Sequence, residues 1–257
     1  MNELLSKIKK LNWVLSESTT GNLSFSDLSG FLSEINDSNL YILDNSGKVL
    51  GVSYSMEDDT STFSDESGLE KVPEEHNRNF LKVNETRANV FGEELKEILG
   101  NDYELTGKYH TLIPCVCGGV RLGTILLTRY EQPFNEEEIA LCELGATVVA
   151  LEMQRNAAAG RAKERSLKLA CEMAFETLSF SERDALEKIL DSVGEDECII
   201  VASKIASKYK LTNSVIVSAL KKLESAGLLE TKSLGMKGTY IRIINPYLRD
   251  TVENAKI

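Results

Sequence analysis

Apolar and polar positions alternate along the chain with more than one rhythm, and each rhythm predicts an element. Leu4, Leu5, Ile8, Leu11, Trp13 and Leu15 fall near helical spacing. A second helix is predicted from an N-cap at Ser26, with Leu28, Phe31, Leu32 and Ile35 on one face. The period then shortens. Leu40–Leu43 and Val49–Val52 read as strands joined by the turn Asp44-Asn45-Ser46-Gly47, a hairpin. Residues Met56 to Gly107 are polar and irregular, with room for two short helices. Thr111–Val116 and Leu122–Leu127 read as a second strand pair through Gly118-Gly119. This order predicts an α+β fold in which helices cover an antiparallel sheet. The long insert over the sheet is a place for a small-molecule pocket.

From Asn135 to Leu178 the pattern is helical almost without break. Asn135 before Glu136, Glu137 and Glu138 makes a good helix start, because acidic groups in the first turn favour the helix dipole. The stretch Ala157 to Arg161 is its weakest point and the expected joint between domains. A second helix is expected beyond it, carrying Leu167, Leu169, Ala170, Met173 and Ala174. The predicted boundaries are 1–155 for the sensor part, 156–178 for a linker helix and 179–257 for the C-terminal domain.

The C-terminal domain reads as a winged helix-turn-helix. Ser181 is expected to cap a helix with Asp184 three residues on, close to a capping box, and Leu186, Ile189 and Leu190 form its apolar face. Val201 to Ala206 begins the supporting helix, Lys210-Leu211-Thr212 makes the turn, and Thr212 caps the next helix. There Ile216, Leu220 and Leu223 recur at i, i+4 and i+7 as a buried stripe. Asn213, Ser214, Val217, Ser218 and Lys221 then fall on the other side. That face is small and polar, with a cation toward its C-terminal end, as a helix entering a major groove needs. Gly227 suits a left-handed cap. Leu228–Ser233 and Thr239–Ile243 follow as two strands joined by Leu234-Gly235-Met236-Lys237-Gly238. In this wing Lys232 and Lys237 can reach phosphates, and Gly235 and Gly238 allow close backbone approach. The expected contacts to double-stranded operator DNA are Ala202, Ser203, Lys204, Thr212, Asn213, Ser214, Val217, Ser218, Lys221, Lys222, Lys232, Ser233, Lys237 and Tyr240.

The net charge of −11 looks unsuited to DNA, but its distribution reverses that impression. From Ile200 to Ile257 there are ten Lys or Arg against four Asp or Glu, a net +6, so the other 199 residues carry −17. Affinity for DNA depends on local neutralisation of phosphates, so a basic module on an acidic body is workable.

Other chemistry is weakly represented. No apolar run approaches the roughly 18 residues that span a bilayer, and the N-terminus lacks a signal-peptide pattern. Five scattered cysteines without an export signal point to reduced thiols in the cytoplasm. Gly100 to Lys108 resembles a phosphate loop only superficially: six residues separate the glycines where four are needed, and Tyr109 follows the lysine. Cys115 and Cys117 share a strand face but are too few for a metal site, and no histidine stands at ligand spacing. His76 and His110 are far apart and lack an obvious Ser or Cys partner, so no catalytic residue, metal or resident cofactor is expected. The alternative reading is a small-molecule-binding enzyme or interaction protein whose winged helix serves assembly.

Four C-terminal stretches resemble the CodY family of nutrient-sensing repressors of low-GC Gram-positive bacteria. They are Ala202-Ser203-Lys204-Ile205-Ala206, Ser214-Val215-Ile216-Val217, Leu223-Glu224-Ser225-Ala226-Gly227 and Ser233-Leu234-Gly235-Met236-Lys237-Gly238-Thr239-Tyr240. The N-terminal part agrees in Ile35–Asn39, Arg121-Leu122-Gly123-Thr124 and Gly145–Val149. The resemblance implies a GAF-type sensor domain, a long linker helix and a winged helix-turn-helix, working as a homodimer or higher assembly. It implies repression of nutrient-acquisition, biosynthetic and virulence genes when nutrients are plentiful. It also implies isoleucine or valine as effector and, in many members, GTP. Carried over by position, the amino-acid pocket includes Phe63, Val72 and Pro73, and the GTP contacts include Lys48 and Glu152. This chain departs from the family where an arginine holds the effector carboxylate: Asp59 to Phe63 contains none, leaving Arg78 or Arg87. The loop from Glu94 to Asp102 departs too, and Asn45 and Ala157 replace basic residues. Ser214, in the first turn of the recognition helix, is a candidate for phosphorylation.

Overall fold

Strand residues that are apolar on both sides must be covered on both sides, and that requirement sets the architecture of the first half. A computed structural model of the chain describes residues 3–17, 24–55, 71–100, 107–192 and 196–255. It divides into two compact units, Met1–Ala157 and Ala158–Ile257.

The first unit is built on a five-stranded antiparallel sheet. Its strands are β1 (Asn39–Asp44), β2 (Val49–Ser53), β3 (Arg87–Val90), β4 (Lys108–Cys117) and β5 (Val120–Tyr130), in the order β2-β1-β5-β4-β3. Leu40 and Ile42 of β1 join Ile113, Cys115, Ile125 and Leu127 in one buried layer. Tyr41 and Leu43, one residue out of phase, join Leu112 and Leu126 in the other. The first layer is closed by α1 (Glu3–Glu17), α2 (Phe25–Asn36) and the N-terminal part of α5 (Glu136–Glu176), through Leu11, Leu28, Leu32, Cys142, Ala146 and Val149. The second is closed by α3 (Glu74–Phe80) and α4 (Glu94–Leu99), through Phe80, Leu95, Ile98 and Leu99.

Local sequence accounts for the element ends, with some shifts. The α2 cap is Ser24 rather than Ser26: its hydroxyl accepts from Asp27 N–H while the Asp27 carboxylate accepts from Ser24 N–H. Asn135 caps α5 in the same reciprocal way with Glu138. Trp13, counted with the apolar face of α1, is 62% exposed. Buried Leu11 lies two residues away, on a different side of a helix. The helix expected to break near Ala157 does not: α5 runs unbroken through Gly160. The three alanines before Gly160 are the best helix formers and offset a glycine cost of about 1 kcal/mol. The insert holds the two short helices expected and also β3, whose pairing with β4 is irregular between Arg87 and Val90.

The second unit contains the C-terminal part of α5, then α6 (Phe180–Ser192), β6 (Glu197–Ile200), α7 (Ala202–Tyr209), α8 (Asn213–Ser225), β7 (Leu229–Ser233), β8 (Thr239–Ile243) and α9 (Leu248–Asn254). The strands form a small antiparallel sheet, β6-β8-β7. One core joins Cys171 and Leu178 to Leu186, Ile189, Ile205, Ile216, Leu223, Ile241 and Leu248. Among the described residues no helix is long and apolar enough to cross a membrane, and no group of His, Cys, Asp and Glu is arranged to hold a metal ion.

Two glycines in the first unit should respond to alanine with opposite signs. At Gly51 an added Cβ would lie 2.3 Å from the Phe25 backbone oxygen, which cannot swing away. Gly30, inside α2, has nothing within 4 Å of that point. Gly51→Ala is expected to destabilise the unit by about 1–3 kcal/mol, and Gly30→Ala to stabilise it by about 0.5–1 kcal/mol. Hydrogen exchange of β1 amides checks both.

Candidate nucleic-acid interface

Helix α8 is oriented by its own sequence. Thr212 caps it, its hydroxyl accepting from Val215 N–H at 3.4 Å. Ile216, Ala219, Leu220 and Leu223 are buried, as the i, i+4, i+7 stripe requires. The opposite edge therefore presents Asn213, Ser214, Val217 and Lys221 to solvent, and Val217 is 42% exposed. Three residues, Lys210 to Thr212, separate α7 from α8, and Lys210 closes α7 in the left-handed region at φ 58°. Gly227 follows α8 at φ +71°, where Leu228 N–H reaches back to the Leu223 carbonyl.

The wing consists of β7, β8 and a tight turn at Gly235–Lys237. Lys232 and Lys237 are exposed, and Met236 at the tip is fully so. Tyr240 stands opposite Lys232 on β7 and Ile199 on β6, away from buried Ile241. The two wing glycines were expected to let DNA approach. Gly238 instead meets the unit's own backbone, since a Cβ there would lie 2.3 Å from the Ile200 carbonyl oxygen. Gly235 has open space and a positive φ.

The cations from α6 to α9 differ in their commitments. Lys222 pairs with Glu182, Arg242 with Glu230, Arg249 with Asp196 and Lys188 with Glu187. Lys204, Lys210, Lys221, Lys232 and Lys237 are exposed, and none forms an ion pair with a described residue. These five lysines stand at the start of α7, the turn, the outer edge of α8 and the wing; Lys208 on α7, and Arg161, Lys163 and Arg165 on α5, also lack an ion pair with a described residue. Ser203 and Ser233 are exposed beside it, and Ala202 is half-buried.

Two residues expected to contact DNA, Ser218 on the groove face and Lys222, are engaged within the unit instead. The Ser218 hydroxyl donates to Glu182 Oε1 at 2.7 Å, and the Lys222 ammonium donates to Glu182 Oε2 at 2.7 Å. Glu182 itself was missed. The capping box of α6 is Ser179 with Glu182, two residues before the expected Ser181 and Asp184. The readable signal was the spacing Ser179-x-x-Glu182. Bonds from Lys222, from Ser218 and from the Ser179 backbone hold the Glu182 carboxyl down at about 2.

The residues assigned to effectors are scattered. Phe63 lies outside the described residues. Val72 is buried against Tyr41, Leu43 and Phe80, and its N–H donates to the Gly47 carbonyl at 2.9 Å. Pro73 is exposed just before α3. Arg78 pairs with Glu74 and Arg87 with Glu94, both at the surface. Lys48 is exposed beyond the hairpin turn, whereas Glu152 is buried on α5 and pairs with Arg155 at 3.1 Å. No hydrogen bond or ion pair joins Lys48 to Glu152. Arg121 proves central to this region: its guanidinium donates to the carbonyls of Phe80, Leu81 and Val83 at the end of α3, and to Thr124 Oγ1. Cys115 and Cys142 are buried thiols, each pushed up to about 12 by desolvation.

Comparison with known proteins agrees with both units. The family model described as the CodY GAF-like domain matches residues 3–177, and the CodY helix-turn-helix domain matches residues 196–256. The chain is 37% identical to the global transcriptional regulator CodY of Clostridium perfringens over 258 residues, covering 100% of both chains. It is 39% identical to that of Clostridium beijerinckii, again over 100% of both, and 38% identical to that of Brevibacillus brevis, over 99% of both. Among solved structures it is similar to the cofactor binding GAF domain of the nutrient sensor CodY from Clostridium difficile. The identity there is 37% and the TM-score 0.48, over 60% of this chain and 99% of that one.

A pH dependence follows from Glu182. Its folded pKa of about 2 lies below the ordinary 4.5, so its stabilising contribution is complete above pH 4.5 and is lost as pH falls toward about 2. Melting temperatures of the parent and Glu182→Gln, taken across that window, should differ most at its upper end and converge at its lower end.

Proposed function

The chain belongs to the CodY family of global transcriptional regulators, and from that premise we propose that it is a repressor controlled by branched-chain amino acids. Its winged unit binds duplex operator DNA, with the outer edge of α8 in the major groove and the wing alongside. Asn213, Ser214 and Val217 meet base edges. Lys204, Lys221, Lys232 and Lys237 meet phosphates, with Ala202, Ser203, Thr212, Ser233 and Tyr240 packing beside the backbone. The observation that carries this reading is that five exposed lysines without an ion pair to a described residue, Lys204, Lys210, Lys221, Lys232 and Lys237, gather on α7, the turn, the outer edge of α8 and the wing.

The GAF-like unit is the sensor. Isoleucine or valine binds against the apolar layer to which Val72 contributes, with Pro73 next to it in sequence and Phe63 assigned by the family resemblance alone. Effector binding shifts the population of insert and linker-helix states, which sets the spacing of two winged units, in a homodimer, against two half-sites. Residues 1–155 sense, residues 156–178 connect and residues 179–257 bind DNA. GTP as a second effector, contacting Lys48 and Glu152, rests on the family resemblance. The protein acts in the cytoplasm, and its targets are nutrient-acquisition, biosynthetic and virulence genes. Phosphorylation of Ser214 in the first turn of α8 would place a second anion against the DNA phosphates and release the protein.

Three measurements bear on this. In a mobility-shift assay against a duplex selected from a random library, Lys221→Ala and Lys237→Ala should each weaken binding and lower the salt slope by about 1. Unchanged affinity and slope in both would exclude α8 and the wing as the contact surface. Isoleucine should tighten binding of the selected duplex, and an affinity insensitive to it removes the amino-acid arm. Ser214→Glu should bind more weakly than the parent, and equal binding would refute the phosphate-repulsion model.

A further inference from the structure

Glu182 is only 6% exposed, yet both its carboxylate oxygens are engaged. Oε1 accepts the Ser218 hydroxyl at 2.7 Å. Oε2 accepts the Lys222 ammonium at 2.7 Å and the Ser179 backbone N–H at 2.7 Å. The Lys222 ammonium also donates to the Thr177 carbonyl, at 3.2 Å, in the turn that follows α5. One charge therefore ties together the end of the long helix, the first turn of α6 and the flank of α8.

A helix cap needs only part of this. The bond from Ser179 N–H, with its return from Glu182 N–H to Ser179 Oγ, completes the capping box. The bonds to Ser218 and Lys222 bridge 36 and 40 residues of sequence and belong to no helix start. Ser218 and Lys222 are four residues apart, so both tethers grip one flank of α8 and oppose its rotation. Each residue step on a helix turns about 100°. Even part of such a step would carry Asn213, Ser214 and Val217 away from the edges they address. An ammonium held in a carboxylate and a carbonyl is also withheld from DNA phosphates, whose attraction carries no sequence information.

Resting on the DNA-binding reading above, we infer that Glu182 is a positioning residue for duplex recognition: it fixes the roll of α8 and keeps Lys222 off the DNA backbone. The carboxylate then serves selectivity more than affinity. Without it the protein gains a sequence-independent phosphate contact and loses a defined groove face.

Two full-length variants separate this role from simple capping. Glu182→Gln keeps an acceptor for Ser179 N–H but removes the charge that holds Lys222. Lys222→Met removes the tether without releasing a cation. Each is compared with the parent on the selected duplex and on a scrambled duplex of equal length, across a salt series, with melting temperatures measured in parallel. Both variants should lower the ratio of selected to scrambled affinity, by about tenfold. Only Glu182→Gln should steepen the salt slope on scrambled DNA, by about 0.9, the value of one added phosphate contact. If both variants keep the parent's ratio and slopes, whatever their melting temperatures, Glu182 is a helix cap only and the inference is overturned. A parent that binds neither duplex would instead remove the DNA-binding reading on which the inference stands.

Discussion

The burial of Ile216, Ala219, Leu220 and Leu223 is the constraint on which the winged unit depends. A helix with four fully apolar positions on one side has one favourable seat, against Leu186, Ile189 and Ile205. Burying each large side chain is worth about 1.5–3 kcal/mol, far more than any single surface contact of this helix. Once the stripe is seated, the opposite edge must face outward, and the Glu182 tethers to Ser218 and Lys222 restrain the roll that remains. Asn213, Ser214, Val217 and Lys221 face outward because the other side is taken, and the wing is hung beside them by Gly227 and the β7–β8 pairing. Function at this surface is therefore a by-product of packing beneath it.

The sensor unit follows a parallel logic with a different period. Its central strands are apolar on both faces, so the sheet needs a helical layer above and below. The lower layer, α1, α2 and the start of α5, is tightly fitted: Gly145 lets Leu32 approach where a Cβ would stand 2.7 Å from it. The upper layer is made of short pieces, α3 and α4. Arg121 fastens one of them by donating to the carbonyls at the end of α3.

Much of this was legible in the sequence because the apolar periods are strong. The stripe of α8, its Thr212 cap, the left-handed Gly227, the two main hairpins and the Asn135 start of α5 all stand where the residues place them. What was not legible turned on choices between near-equal local signals. Ser179 and Ser181 both precede a carboxylate at capping distance, and only Glu182 also finds partners 36 and 40 residues away. Those partners are Ser218, expected on the groove face, and Lys222, expected as a DNA contact, and both bonds are set by the tertiary fold. Gly160 looked like a break because its cost is local, while the helix continues through good formers on its N-terminal side. Strand β3 is four residues long with an irregular register, too short for alternation to show. Gly238 was read for its approach to DNA, but its missing Cβ serves the Ile200 carbonyl of the same unit.

The most direct test of the orientation of α8 is site-specific photo-crosslinking in the full chain. A photoreactive side chain is placed at Val217, on the outer edge of α8, and in a separate protein at Phe180, which is 88% exposed at the start of α6. With selected duplex bound, the group at 217 should crosslink to bases in the major groove and the group at 180 should not. Crosslinks from position 180 with none from 217 would contradict the account.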